Sequence, residues 1–188
     1  MSVGGWSDGW LTRARRSPSP NFGPRPPGAV VDLVVVHSIS LPPGVFDGSA
    51  VERFFANRLD FDEHPDFDAI RGLQVSAHFL LRRHGELLQF VSCDDRAWHA
   101  GESSWRGRAG CNDYSIGIEL EGLAGGPFEP SQYAALAGLM DDVLARYPIR
   151  DVAGHEHVAP GRKDDPGAGF DWSRLRRSLT GRGLRFPH

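Results

Sequence analysis

Between Gly154 and Gly167 the chain reads GHEHVAPGRKDDPG, two histidines, a lysine and two adjacent aspartates among glycines and prolines that favour neither a helix nor a central strand. Imidazole and carboxylate side chains are the ligands of a catalytic zinc, where three protein groups leave a fourth position for water. His37, directly after the apolar run VVDLVVV, offers a further imidazole from the end of a strand, where ligand sites gather in α/β folds. One loop histidine and one loop aspartate would complete the set. His155 and His157 remain rivals, because residues two apart share a face of an extended segment. Asp164 and Asp165 are rivals as neighbours.

Three further groups stand near this chemistry. Lys163 lies inside the same loop. The run YSIGIELE, Tyr114 to Glu121, alternates Ile116, Ile118 and Leu120 with Ser115, Gly117, Glu119 and Glu121, so one face belongs to the core and the other presents two carboxylates. Taken alone, Glu119 reads as a solvated strand face and Lys163 as a surface charge. The glycine- and serine-rich loop from Cys93 to Asn112 carries Trp98 and His99, which offer a stacking face and a hydrogen-bonding ring to a ligand groove. His78, in the apolar run VSAHFLL, reads as a satisfied core residue. His64, His84 and His188 lie in turns or the tail and receive no role.

The elements that must position these groups follow from periodicity. Val30 to Val36 is a strand buried on both faces. Ser38 to Gly48 is a loop, and Ser49 to Asn57 a short amphipathic helix. No assignment follows for Leu59 to Leu73. Val75 to Leu81 and Glu86 to Val91 form a β-hairpin around a His-Gly turn. Pro130 to Tyr147 is a helix with Ser131 as its cap, Ile149 to Ala153 a strand, and Phe170 to Leu179 a helix capped by Asp171. Residues 1–28, rich in proline, make an extended arm pinned by Trp6, Trp10 and Leu11, and residues 181–188 a loose tail. Strands alternating with helices imply one α/β (α+β) domain over residues 1–188, a central mixed sheet flanked by helices.

Composition narrows the function classes. With 40% hydrophobic and 24% charged residues in 188, the chain can bury one core, which excludes general disorder. A net charge of −3 with scattered arginines leaves no footprint for nucleic acid or an anionic membrane. Neither a membrane span nor a signal peptide is visible, so the cytoplasm is expected, and there Cys93 and Cys111 stay as free, partly buried thiols.

Several motifs in one order carry a resemblance: His37-Ser38-x-SLPPG, VSAHFLLRRHGELLQ, DRAWHAG, CNDYSIGIELEG, the G-H-x-x-x-A-P-x-R-K-x-D-P-G of the loop, and FDW. Together with GWL and ARRSPSPN near the start, they make the chain similar over almost its whole length to the cytoplasmic AmpD group of N-acetylmuramoyl-L-alanine amidases, within the amidase and peptidoglycan-recognition superfamily. The resemblance implies zinc on His37, His155 and Asp165, with His157 at a variable position. It also implies Glu119 as catalytic carboxylate and Lys163 as loop lysine. The substrate it implies is a small muropeptide, cut between 1,6-anhydro-N-acetylmuramic acid and L-alanine during peptidoglycan recycling, with an indirect effect on β-lactamase induction. A monomer is expected. An amide carbonyl needs a nucleophile, an oxyanion donor and a proton for the leaving amine, and zinc, Lys163 and Glu119 map onto those roles. Ser38, Gln74 and Gly110 depart from the group's pattern, which has asparagine at the first and arginine at the others. These are substrate-facing positions, so Ser38 and Gln74 join Trp98 and His99 as expected substrate-binding residues.

Overall fold

A six-stranded sheet carries the computed structural model, which describes residues 5–187. In chain order its strands are β1 (Arg15–Arg16), β2 (Leu33–Ile39), β3 (Phe79–Leu81), β4 (Leu87–Gln89), β5 (Ser115–Glu121) and β6 (Asp151–Gly154). They lie in the order β6-β2-β5-β3-β4-β1. β6, β2, β5 and β3 run parallel, β4 turns back antiparallel to β3, and β1 runs parallel to β4. The sheet is mixed, as expected. The helices are α1 (Ala50–Phe55), α2 (Pro130–Arg146), the single turn α3 (His155–Val158) and α4 (Trp172–Ser178).

Two layers cover the sheet. Leu136, Leu139, Met140 and Val143 of α2 and Leu175 of α4 pack with Val34, Val36, Ile116, Ile118, Leu120 and Val152 on one face. Each such side chain contributes about 1.5–3 kcal/mol on burial. On the other face, Val51, Phe54 and Phe55 of α1 pack with Leu80, Leu88 and Phe90. β5 is therefore buried along its whole length. The face that carries Glu119 and Glu121 is therefore not solvated, since both are buried.

Other boundaries move for local reasons. Pro130 takes the first helical position of α2, so the cap falls on Glu129, whose N–H donates to Gln132 Oε1 at 3.0 Å. Ser131 instead donates its hydroxyl to the Arg83 carbonyl. Asp171 caps α4 as expected, accepting from the Arg174 N–H at 2.8 Å. Leu59 to Leu73 holds two 3₁₀ turns, Phe61–Glu63 and Pro65–Ile70. Gly154 to Gly167 is not wholly loop, since α3 occupies its start. Both cysteines are free and buried.

The two ends of the chain are more regular than their composition suggests. In the arm, Trp6–Ser7 and Trp10–Leu11 pair as a minimal hairpin, Arg15–Arg16 extends the sheet edge, and Phe22–Gly23 pairs with Arg96–Ala97. Trp6 and Leu11 are buried. The tail is docked as far as Pro187. Arg185 N–H donates to Arg150 O, the Val152 N–H donates to Arg185 O, both at 2.9 Å, and Phe186 is buried. Sequence polarity hid this because the docking combines backbone bonds with an ion pair between Arg185 and Asp151, partners far apart in the chain. His188 lies outside the described residues.

Candidate metal centre and active site

The end of β2, the turn after β6 and the loop behind α3 meet at one point. His37 sits within β2 rather than after it. Its Nδ1 is 3.0 Å from His155 Nδ1 and 3.2 Å from Asp165 Oδ2, and His155 Nδ1 is 3.1 Å from Asp165 Oδ1. Tetrahedral ligands on bonds of about 2 Å stand about 3.3 Å apart, so this donor set has the spacing of a zinc site. Protonation agrees. Burial, then His155, brings His37 down to about 4. Burial pushes Asp165 up, but the close approach of His155 and His37 outweighs it and holds the carboxyl well below its usual range. Neutral imidazole beside ionised carboxylate is the state metal ligation requires.

Local packing separates the rivals in the loop. His157 turns back so that its Nδ1 accepts from the Gly154 N–H at 3.0 Å, and its ring lies edge-on to Trp172. A Cβ at Gly154 would lie 2.9 Å from both His157 Nδ1 and Pro166 Cδ, which explains the glycine. Asp164 is exposed. Asp165 is held by its own carbonyl, which accepts from the Glu156 N–H at 2.8 Å.

Glu119 and Lys163 line the same cavity of about 230 Å³ as the triad. Glu119 is opposite His37 in the parallel register of β5 and β2. Its Oε2 is buried without a partner, and burial, then Asp165, pushes its carboxyl well above the usual range against the pull of Lys163. Lys163 is exposed at the mouth. Ser38 also lines the cavity, its Oγ buried without a partner. Gln74 lies on an adjoining depression that shares Phe54 and Leu73 with the cavity. Trp98 is half-buried outside that lining, its backbone exchanging hydrogen bonds with Ser76. His99 lines the cavity but is 8% exposed, with its ring against His37.

Four residues around the site escaped the sequence reading: Ala100, Asn112, Ser115 and Arg162. Their signal is weak because they act through a carbonyl, an amide, a hydroxyl and a backbone-directed guanidinium. His78 is satisfied in the core: Nδ1 accepts from the Gly117 N–H at 3.0 Å and Nε2–H donates to Asp95 O at 3.1 Å.

Residues 27–168, which hold every group of this centre, match the sequence model of the N-acetylmuramoyl-L-alanine amidases. The chain belongs to that family. The 1,6-anhydro-N-acetylmuramyl-L-alanine amidase AmpD of Citrobacter freundii is 49% identical over 175 residues, 92% of this chain and 94% of that protein. A crystal structure of a selenomethionine derivative of AmpD matches with a TM-score of 0.89 at 48% identity, covering 93% of this chain and 98% of the other. Escherichia coli AmiD, solved in complex with its substrate anhydro-N-acetylmuramic acid-L-Ala-D-gamma-Glu-L-Lys, matches with a TM-score of 0.59 at 33% identity, over 82% of this chain and 60% of AmiD. In this member of the amidase family, a possible metal triad and an unpaired carboxyl therefore share one groove. Among the described residues no helix is long and apolar enough to cross a membrane.

Proposed function

We propose that this amidase is a cytoplasmic, monomeric zinc enzyme that hydrolyses the amide between 1,6-anhydro-N-acetylmuramic acid and the L-alanine of the stem peptide. Its place would be peptidoglycan recycling, where it lowers the muropeptides that induce β-lactamase. The observation that carries the reading is the convergence of His37, His155 and Asp165 with a partnerless buried carboxyl, Glu119, on one open groove. The AmpD relatives, named for that amide, support the substrate.

Zinc held by His37, His155 and Asp165 would acidify a water and polarise the scissile carbonyl. The remaining work falls to the chain's own groups. An environment that favours the neutral form of Glu119 makes its carboxylate an avid base, so Glu119 takes the proton of the attacking water. It then delivers that proton to the alanine nitrogen as the C–N bond breaks. Lys163 Nζ, exposed at the cavity mouth, donates to the carbonyl oxygen as negative charge builds there. Ser38 and Gln74, with Trp98 beyond the rim, would act on sugar or peptide.

Incubating protein that carries one equivalent of zinc with anhydromuramyl tripeptide, and following the products by mass spectrometry, is expected to give free tripeptide and the anhydro sugar. Intact sacculi are expected to be cut more slowly. Stoichiometric zinc with no released peptide would rule the reading out.

A further inference from the structure

The Nδ1 atoms of His37 and His155 face each other, so their Nε2 atoms point outward, and both meet the same dipeptide. His37 Nε2 is 2.9 Å from His99 Nδ1, and His155 Nε2 is 3.2 Å from the Ala100 carbonyl oxygen. A carbonyl only accepts, so His155 carries its proton on Nε2 and leaves Nδ1 free as a ligand. The same assignment for His37 makes His99 Nδ1 the acceptor. The His99 proton then sits on Nε2, 3.0 Å from Ser115 Oγ, which can accept it.

The dipeptide is itself clamped. Asn112 Oδ1 accepts from the N–H groups of both His99, at 3.2 Å, and Ala100, at 2.8 Å. Arg162 Nη2 donates to the Ala100 oxygen at 2.6 Å. The ring of His99 fits only because residue 117 is glycine, where a Cβ would lie 2.5 Å from the ring carbon Cγ. β2, β5, α3, Asn112 and Arg162 thus converge on two residues that would touch no metal.

We propose that His99–Ala100, clamped by Asn112, is the positioning device of the metal centre: it selects the Nδ1-ligating tautomer of both histidines and holds their rings in place. On this assignment His99 is a positioning residue rather than a substrate contact. Groups that orient metal-bound histidines are typically worth 10–100-fold in metal affinity. The inference rests on the proposed zinc centre, and metal affinity tests the two separately.

Zinc dissociation constants from chelator competition, and the visible spectrum of the cobalt-loaded protein, should be compared across two pairs of variants. His99→Leu removes the acceptor and is expected to weaken zinc about 10–100-fold and alter the cobalt bands, whereas His99→Asn, with an amide oxygen near the Nδ1 position, recovers most of the affinity. Asn112→Ala is expected to weaken zinc in the same direction and Asn112→Asp, which keeps the acceptor, to restore it. Circular dichroism of the apo proteins identifies any variant that does not fold, and the other pair then decides. Wild-type affinity and spectrum in folded His99→Leu or Asn112→Ala would overturn the proposal while leaving the amidase reading intact. Wild-type protein that binds no zinc would overturn both.

Discussion

Glu119 and Glu121 stand on one face of the same strand, and their neighbours give them different work. Glu121 is 1% exposed and held by Arg82 at 2.6 Å, with a further hydrogen bond from the Asp47 N–H at 3.0 Å. Glu119 has a buried oxygen with no hydrogen-bond partner among the described residues. Glu121→Ala leaves the buried Arg82 with Glu52 as its remaining carboxylate, at 2.9 Å, and takes the acceptor from the Asp47 N–H, so it is expected to lower the unfolding free energy by about 1–3 kcal/mol. Glu119→Gln should leave stability unchanged or higher and zinc binding intact, and should lower kcat by about 10²–10⁴-fold. Urea unfolding and kinetics on the two proteins check the contrast. A fully active Glu119→Gln would remove this residue from the proton path. Sequence placed both carboxylates on one face of a strand. Which one lacked a partner depended on Arg82, far away in the chain.

At the scale of elements, the centre is held between two parallel strands and the loop from Cys93 to Asn112. Sequence presents that loop as a ligand surface, rich in polar and aromatic residues, but its His99, Ala100 and Asn112 stand behind the candidate metal ligands. The point of contact is Gly117 of β5, whose missing side chain admits the His99 ring. A lone glycine inside a strand signals a close approach, though it does not say of what. Gly117→Ala is expected to cost about 1–3 kcal/mol through overpacking. It should also weaken zinc by displacing His99 from His37. Thermal unfolding of the apo variant beside zinc competition tests this, and an unchanged metal affinity would show that the ring has somewhere else to go.

On the scale of the whole molecule, both ends of the chain close the sheet: Arg15–Arg16 at one edge and Arg185 beside Asp151 at the other. Open edges invite pairing with other chains, and these segments limit that exposure. The interior also sets a pH limit. Burial, then Arg25, brings His78 down to about 3, and burial, then His155, brings His37 down to about 4. Above an ordinary histidine value of about 6.5, both folded and unfolded chains leave these rings neutral. Below it the unfolded chain takes up protons that the folded one refuses, so stability falls as pH drops from about 6.5 toward 3. The apo protein is expected to lose thermal stability steadily across that window. His78→Asn, whose amide can still accept from the Gly117 N–H, should flatten part of the slope. An identical slope in the variant would exclude His78 as a contributor.

The mixed sheet, the main helices and the family motifs were determined by sequence alone, because apolar periodicity and the residue order around His37, Glu119, His155, Lys163 and Asp165 are local properties of the chain. Tertiary structure decided the separation of His155 from His157 and of Glu119 from Glu121. It also drew His99 inward behind His37 and docked the tail through backbone bonds and the Arg185–Asp151 pair. Each of those outcomes depends on a hydrogen bond, an ion pair or a missing Cβ supplied from elsewhere in the chain. The loop from Gly154 to Gly167 contains candidate ligands by composition, and becomes a candidate metal centre only where a strand end and a clamped dipeptide meet it in space.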